Sequence, residues 1–137
     1  MLMTQCLCTK LRRAARSVSR LYDDALRDIG LSVAQYSLLS HLQRLDQPSI
    51  SELAVAMGLD RSTLGRNLKL LQAEGLIVLG DGEDQRSRLV QISSSGRERI
   101  AQAQVAWKSA QAQLASRLGE GKREALMLLL DDLENIV

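Results

Sequence analysis

The sequence predicts a mostly α-helical chain with one small β-hairpin, and three observations support this. Apolar residues recur at three- and four-residue steps through most of the chain, the period of one face of an α-helix. Proline occurs once, at Pro48, in a chain rich in Leu, Ala, Gln and Arg, which favour helix. Two short runs, Leu76 to Leu79 and Arg88 to Ile92, instead look like strands and flank a Gly/Asp-rich turn. Residues 50 to 92 therefore read, in order, helix, tight turn, helix, hairpin. That order describes a winged helix-turn-helix, with further helices on either side.

Each element follows from its own residues. Leu11, Ala14, Ala15, Val18, Leu21, Tyr22, Ala25, Leu26 and Ile29 form an apolar stripe, so residues about 9 to 29 are a helix that Gly30 ends. Ser32 caps a second helix whose Tyr36, Leu39 and Leu42 share a face, and Pro48 marks its exit. Ser49 or Ser51 caps a short third helix (Leu53, Ala54, Met57) that stops at Gly58. Asp60 caps a fourth, about Arg61 to Glu74, ending at Gly75. Its Leu64, Leu68 and Leu71 lie on one side, with Arg61, Ser62, Gly65, Arg66 and Lys69 on the other. Gly80-Asp81-Gly82 supplies the hairpin turn. A fifth helix starts after Ser94-Ser95 and carries Ile100, Ala103, Trp107, Ala110, Leu114 and Leu118; Gly119 and Gly121 break it. A sixth carries Leu126, Leu129, Leu130, Leu133 and Ile136.

At 137 residues the chain is one domain, residues 1–137, with a real core. Residues about 31–93 form the winged-helix unit, flanked by helices at about 9–29 and 96–137. The flanking apolar stripes are wider than one small domain needs. Leu126 to Leu130 is apolar throughout, so it must be buried, against a second copy of the chain. Apolar residues make up 45% and charged residues 25%, a soluble balance, and no stretch approaches the roughly 20 apolar residues of a membrane span. Lys10, Arg12, Arg13 and Arg16 interrupt any apolar signal core at the N-terminus. A cytoplasmic protein with no membrane partner is expected, with Cys6 and Cys8 at rest as thiols.

Net charge is only +2, so its distribution matters more than its sum. Lys10 to Arg20 and Arg61 to Gln72 carry basic residues without an acid, while acids gather at Asp23, Asp24 and Asp28, at Asp81 to Asp84, and in the C-terminal tail. The second helix of a helix-turn-helix enters the DNA major groove. On the fourth helix, Ser62 and Thr63 are placed to reach phosphates or base edges, and Arg61 and Arg66 to fork onto guanine O6 and N7. Gly65 lets the helix approach the groove floor, at about 1 kcal/mol of helix propensity. Lys69 extends the basic face, and Arg86 and Arg88 on the hairpin's return side are placed beside it for backbone or minor groove. Double-stranded DNA is the expected partner. The competing readings are an ordinary solvated face and a winged helix used for protein contacts, the latter favoured by the acidic hairpin tip. No nucleophile–base arrangement, phosphate-cradling glycine motif or metal-spaced His/Cys cluster is present, so neither an enzyme nor a resident cofactor is expected.

Six motifs follow one another along the chain: Leu31-Ser32-Val33-Ala34-Gln35-Tyr36, Ile50-Ser51-Glu52-Leu53-Ala54, Leu59-Asp60-Arg61-Ser62-Thr63-Leu64, Leu71-Gln72-Ala73-Glu74-Gly75-Leu76-Ile77, Asp84-Gln85-Arg86-Ser87 and Leu89-Val90-Gln91-Ile92-Ser93 with Gly96. In these motifs and their order the chain resembles the MarR family of transcriptional regulators. The resemblance implies a homodimer formed through the first, fifth and sixth helices, acting as a repressor on a palindromic operator. It also implies a wing Asp-x-Arg pair, Asp84 and Arg86, in which Asp84 supports the wing by steering an arginine of the recognition helix, Arg66. Two positions depart from the family pattern: Gly65 stands where Thr or Ser is common, and Gly80-Asp81-Gly82-Glu83-Asp84 is acidic where relatives are basic.

Cys6 and Cys8 are the only cysteines and lie together at the start of the first helix. A helix N-terminus and the nearby Lys10, Arg12 and Arg13 favour a thiolate, and termini are accessible to oxidants. The resemblance extends to the family's hydroperoxide-sensing branch, in which Cys8 would be the peroxidatic cysteine and Tyr22 its hydrogen-bonding tyrosine. Side chains two apart on a helix point about 200° from one another, so a Cys6–Cys8 disulfide requires the helix end to distort. Other signals remain open: a soft metal held by the two thiols, or a small aromatic anion in a cleft near Tyr22, Tyr36 and Arg16. His41, the one histidine, and Trp107 are read as packing or surface residues.

Overall fold

Capping chemistry sets most helix boundaries in the computed structural model, which describes residues 1–137. Helix α1 runs Leu7–Leu26, two residues earlier than the stripe suggests, with Cys6 as its N-cap in extended backbone. It gives way after Leu26 to a 3₁₀ turn, Arg27–Ile29, closed by Gly30 at φ 78°. Helix α2, Val33–Arg44, opens on a capping box in which Ser32 Oγ accepts from the Gln35 amide (3.1 Å) and Gln35 Oε1 from the Ser32 amide (3.0 Å). The same box, Ser49 with Glu52, opens α3, Ile50–Met57, so Ser49 is the cap and Ser51 lies inside the helix. Gly58, at φ 65°, turns the chain toward Asp60 and α4, Arg61–Ala73.

The wing is narrower than the apolar runs suggest. Strand β1, Ile77–Leu79, pairs antiparallel with β2, Val90–Ile92, placing Ile77 opposite Ile92 and Leu79 opposite Val90. A third backbone segment completes it. Ser49 bridges Leu89, Pro48 O accepts from the Val90 amide at 2.8 Å, and the Ile50 amide donates to Arg88 O at 3.0 Å. The residues before α3 thus clamp the return strand, a role that Pro48 does not advertise in the sequence.

Helix α5, Ser94–Leu118, is capped by Ser93, whose Oγ accepts from the Gly96 amide at 3.0 Å. Gly119 does break it, but Gly121 does not. It falls in the first turn of α6, Glu120–Glu134, where backbone amides lack intrahelical partners anyway and glycine is tolerated. The core joins Leu26, Leu38, Leu39, Leu53, Leu64, Leu71, Leu76 and Ile100, all at 1% exposure or less, and Tyr36 stacks on Trp107 at 5.8 Å. Long α5 packs against α1, α2 and α6. Leu126 to Leu130 is not covered within one chain: α6 has no buried residue, and Leu128 stays 67% exposed. No helix is long and apolar enough to cross a membrane.

Candidate nucleic-acid interface

Burying Leu64, Leu68 and Leu71 against the core turns the opposite face of α4 outward. Arg61, Ser62, Arg66 and Lys69 are exposed there, with Thr63 and Gly65 half-exposed at its flanks. Asp60 organises the first turn. Its Oδ1 accepts from the Ser62 hydroxyl (2.6 Å) and the Thr63 amide (2.8 Å), and its Oδ2 from the Thr63 hydroxyl (3.0 Å). These bonds, the Ser62 hydroxyl first and Arg66's charge last, lower the Asp60 pKa to about 2.

The wing holds its basic residues more tightly than the sequence suggests. Asp84 accepts from the Arg86 and Ser87 amides, both at 3.0 Å, and pairs with Arg86 Nη2 at 3.4 Å. Those contacts, led by the Ser87 amide, hold its carboxyl below the usual range. Asp84 does not reach the recognition-helix arginine expected of it: the ion pairs of this chain are Arg86–Asp84 and Arg27–Asp24, so Arg66 remains free for another partner. Arg88 folds across the wing's base, its Nε donating to Gly80 O at 3.0 Å, which leaves only its Nη groups to face outward.

At the start of α1, Cys6 and Cys8 are both exposed free thiols. The Thr9 hydroxyl and amide lower the Cys6 pKa. Tyr22 is not beside Cys8 within one chain: it lies fourteen residues along the same helix, about 21 Å away. There it is buried, and its hydroxyl donates to Gln111 Oε1 on α5. That burial raises its pKa against the opposing charge of Arg123. His41 Nδ1 contacts Ser37 O at 2.7 Å, satisfied within its own helix.

A profile of the MarR family matches residues 29–87, from the last residue of the 3₁₀ turn through β1 and the wing's tip, ending before β2. The structure is similar to the transcriptional regulator MosR of M. tuberculosis, with 30% identity, a TM-score of 0.81, and coverage of 97% of this chain and 98% of that one. The chain belongs to the MarR family. Members of this family are DNA-binding regulators rather than enzymes, and this protein is a transcriptional regulator of that type that binds DNA. MosR in complex with DNA matches at 31% identity and TM-score 0.80, over 97% of this chain and 100% of that one. The repressor CouR, bound to a 23-mer DNA duplex, matches at 26% identity and TM-score 0.83, over 94% and 92%. A curated relative, the HTH-type transcriptional regulator YwoH of Bacillus subtilis, is 22% identical over 119 residues, 87% of each chain.

The sequence reading of this MarR-family regulator missed two features near these sites. One is Gln111, a polar residue inside an apolar stripe, whose partner Tyr22 becomes visible only when α1 lies against α5. The other is the extent of a largely apolar groove of about 490 Å³ between α1, α5 and α6, lined by Leu11, Val18, Leu114, Leu118, Leu126 and Leu130 among others, with Arg123 at its wall; of the three residues expected near a ligand cleft, Tyr22 lines it. Arg16 is not among its lining residues, and Tyr36 is in the core against Trp107.

Proposed function

We propose that this regulator is a homodimeric repressor of a palindromic operator, released when Cys6 and Cys8 are oxidised. Arg61, Ser62, Thr63, Gly65, Arg66 and Lys69 read the major groove from α4, while Arg86, held by Asp84, and the outer nitrogens of Arg88 reach the flanking backbone. Residues about 31–93 are the reading unit, and α1, α5 and α6 join two copies. The uncovered apolar face of α6 supports that assembly.

The observation that carries the switch is the position of the two thiols at the opening of α1, exposed, with Thr9 favouring the Cys6 thiolate. A hydroperoxide oxidises one thiolate to a sulfenic acid and is itself reduced to the alcohol. The second thiol then attacks that sulfur, forming the disulfide and releasing water. Because Cys6 is the N-cap, closing the bridge breaks the first helical bond, Lys10 amide to Cys6 O at 3.0 Å, and unwinds the end of α1. If α1 joins the two copies, that unwinding moves recognition helices that must stay about 34 Å apart. Tyr22, if it serves Cys8, does so from the second copy.

A gel-shift titration on the duplex upstream of the protein's own gene tests this, using reduced protein, peroxide-treated protein, and the Cys6→Ser and Cys8→Ser variants. Tight binding that peroxide abolishes in wild type but not in the variants is expected. Equal affinity of the reduced and oxidised forms would falsify the thiol switch. The groove between α1, α5 and α6 favours a second reading, a small-molecule effector, because CouR has also been solved bound to p-coumaroyl-CoA. Release by an aromatic acyl ligand without oxidation would establish it.

A further inference from the structure

The hydroxyls of α4 are already committed. A serine hydroxyl has one proton to donate, and an ionised carboxylate can only accept. The Ser62 proton goes to Asp60 Oδ1 at 2.6 Å and the Thr63 proton to Asp60 Oδ2 at 3.0 Å. What Ser62 presents outward is therefore lone pairs. Phosphate oxygens, guanine O6 and N7, and thymine O4 are acceptors too, so Ser62 would have to release Asp60 to bond them. The donors that base edges offer in the major groove are the amino groups at adenine N6 and cytosine N4.

The neighbouring position keeps that edge open. Gly65 lies three residues on from Ser62, on the same side of the helix, and a Cβ added there would meet nothing within 4 Å. Nothing in the fold needs glycine at this point, although it costs about 1 kcal/mol in a helix interior. Its effect is that no side chain stands over this edge of the helix beside the Ser62 oxygen.

We propose that Ser62, locked as an acceptor by Asp60 and left accessible by Gly65, is a specificity determinant that selects an amino-bearing base, adenine or cytosine, in each half-site. This rests on the reading of α4 as the helix that enters the groove, and it excludes the phosphate role that a serine in a first helical turn would otherwise take.

The test starts from a duplex selected by wild-type protein from a library randomised upstream and downstream of the dyad. Each adenine of one half-site is replaced singly by purine, and each cytosine by 2-pyrimidinone, which removes only the amino group. Binding of wild type and Ser62→Ala is followed by fluorescence anisotropy. At one position the analogue weakens wild type by about fivefold or more, Ser62→Ala loses a similar factor on the unmodified duplex, and the analogue costs the variant nothing further. If no single analogue discriminates wild type from Ser62→Ala, the assignment is wrong. It is equally wrong if Ser62→Ala weakens all sequences alike with a shallower salt dependence, the behaviour of a phosphate contact. Failure of wild type to select any sequence would instead overturn the reading of α4, and this proposal with it. The analogue arm uses unaltered protein, so it does not depend on how the variant folds.

Discussion

Gly96 sits directly beneath the carbonyl of Leu76, and a Cβ there would lie 2.2 Å from that oxygen and 2.8 Å from Ile92 Cγ1. The carbonyl is not free to move, because it also accepts from the Ser93 amide at 3.0 Å, the bond that docks α5 onto the wing. Gly96→Ala should therefore destabilise the fold by about 3 kcal/mol in urea titrations, an overpacking cost that the backbone has no way to relieve. Gly65→Ala is the control. With open space around it, the same substitution should stabilise the fold by up to about 1 kcal/mol while weakening operator binding. An unchanged urea midpoint for Gly96→Ala would show that α5 can shift away from the wing. The two glycines look alike in the sequence, because a helical period identifies an apolar face but not the backbone atom that will lie over it.

Helix α4 depends on one carboxylate at its start. Asp60 titrates at about 2 instead of its ordinary 3.8, since its ionised form accepts from Ser62 and Thr63. A lowered folded-state pKa means that this stabilisation is fully present above the ordinary value. It is lost as pH falls from about 4 through about 2. Asp60→Asn keeps an acceptor at the cap but does not ionise. The Tm of wild type should accordingly exceed that of Asp60→Asn at pH 7, with the gap closing between pH 4 and pH 2. A gap that stays constant over that window would mean the charge is not what holds the turn. Capping of this kind was legible because it acts within three residues: Ser32, Ser49 and Asp60 cap helices here, while in the run Ser93-Ser94-Ser95 the cap is Ser93, so α5 begins at Ser94 rather than after Ser95. The wing was legible only in part, since its third segment joins Ser49 to Leu89, forty residues away in the chain.

At the scale of the whole molecule, the uncovered face of α6 sets the largest question. Leu128 and Leu129 remain 67% and 59% exposed in a chain whose core is otherwise closed. In the proposed dimer they lie against the second copy. Wild type should then sediment as a dimer, and Leu129→Arg, which puts a charge on that face, should sediment as a monomer with intact helical circular dichroism. Losing the second reading head should lower operator affinity by about a hundredfold or more. Wild type that sediments as a monomer at micromolar concentration would remove the basis for both the dimer and the palindrome.

The helices, their caps and the basic face of α4 follow from the sequence by itself, because each depends on residues within a turn or two of one another. Leu64, Leu68 and Leu71 alone orient Arg61, Arg66 and Lys69 outward. What each side chain has left to offer depends on hydrogen bonds. Local ones draw the Ser62 hydroxyl to Asp60 and Arg86 to Asp84 once the turns close, whereas only the tertiary structure draws Arg88 to Gly80 and Tyr22 to Gln111. Periodicity assigns a residue to a face, but a donor's single proton is committed by whichever acceptor the fold brings within reach.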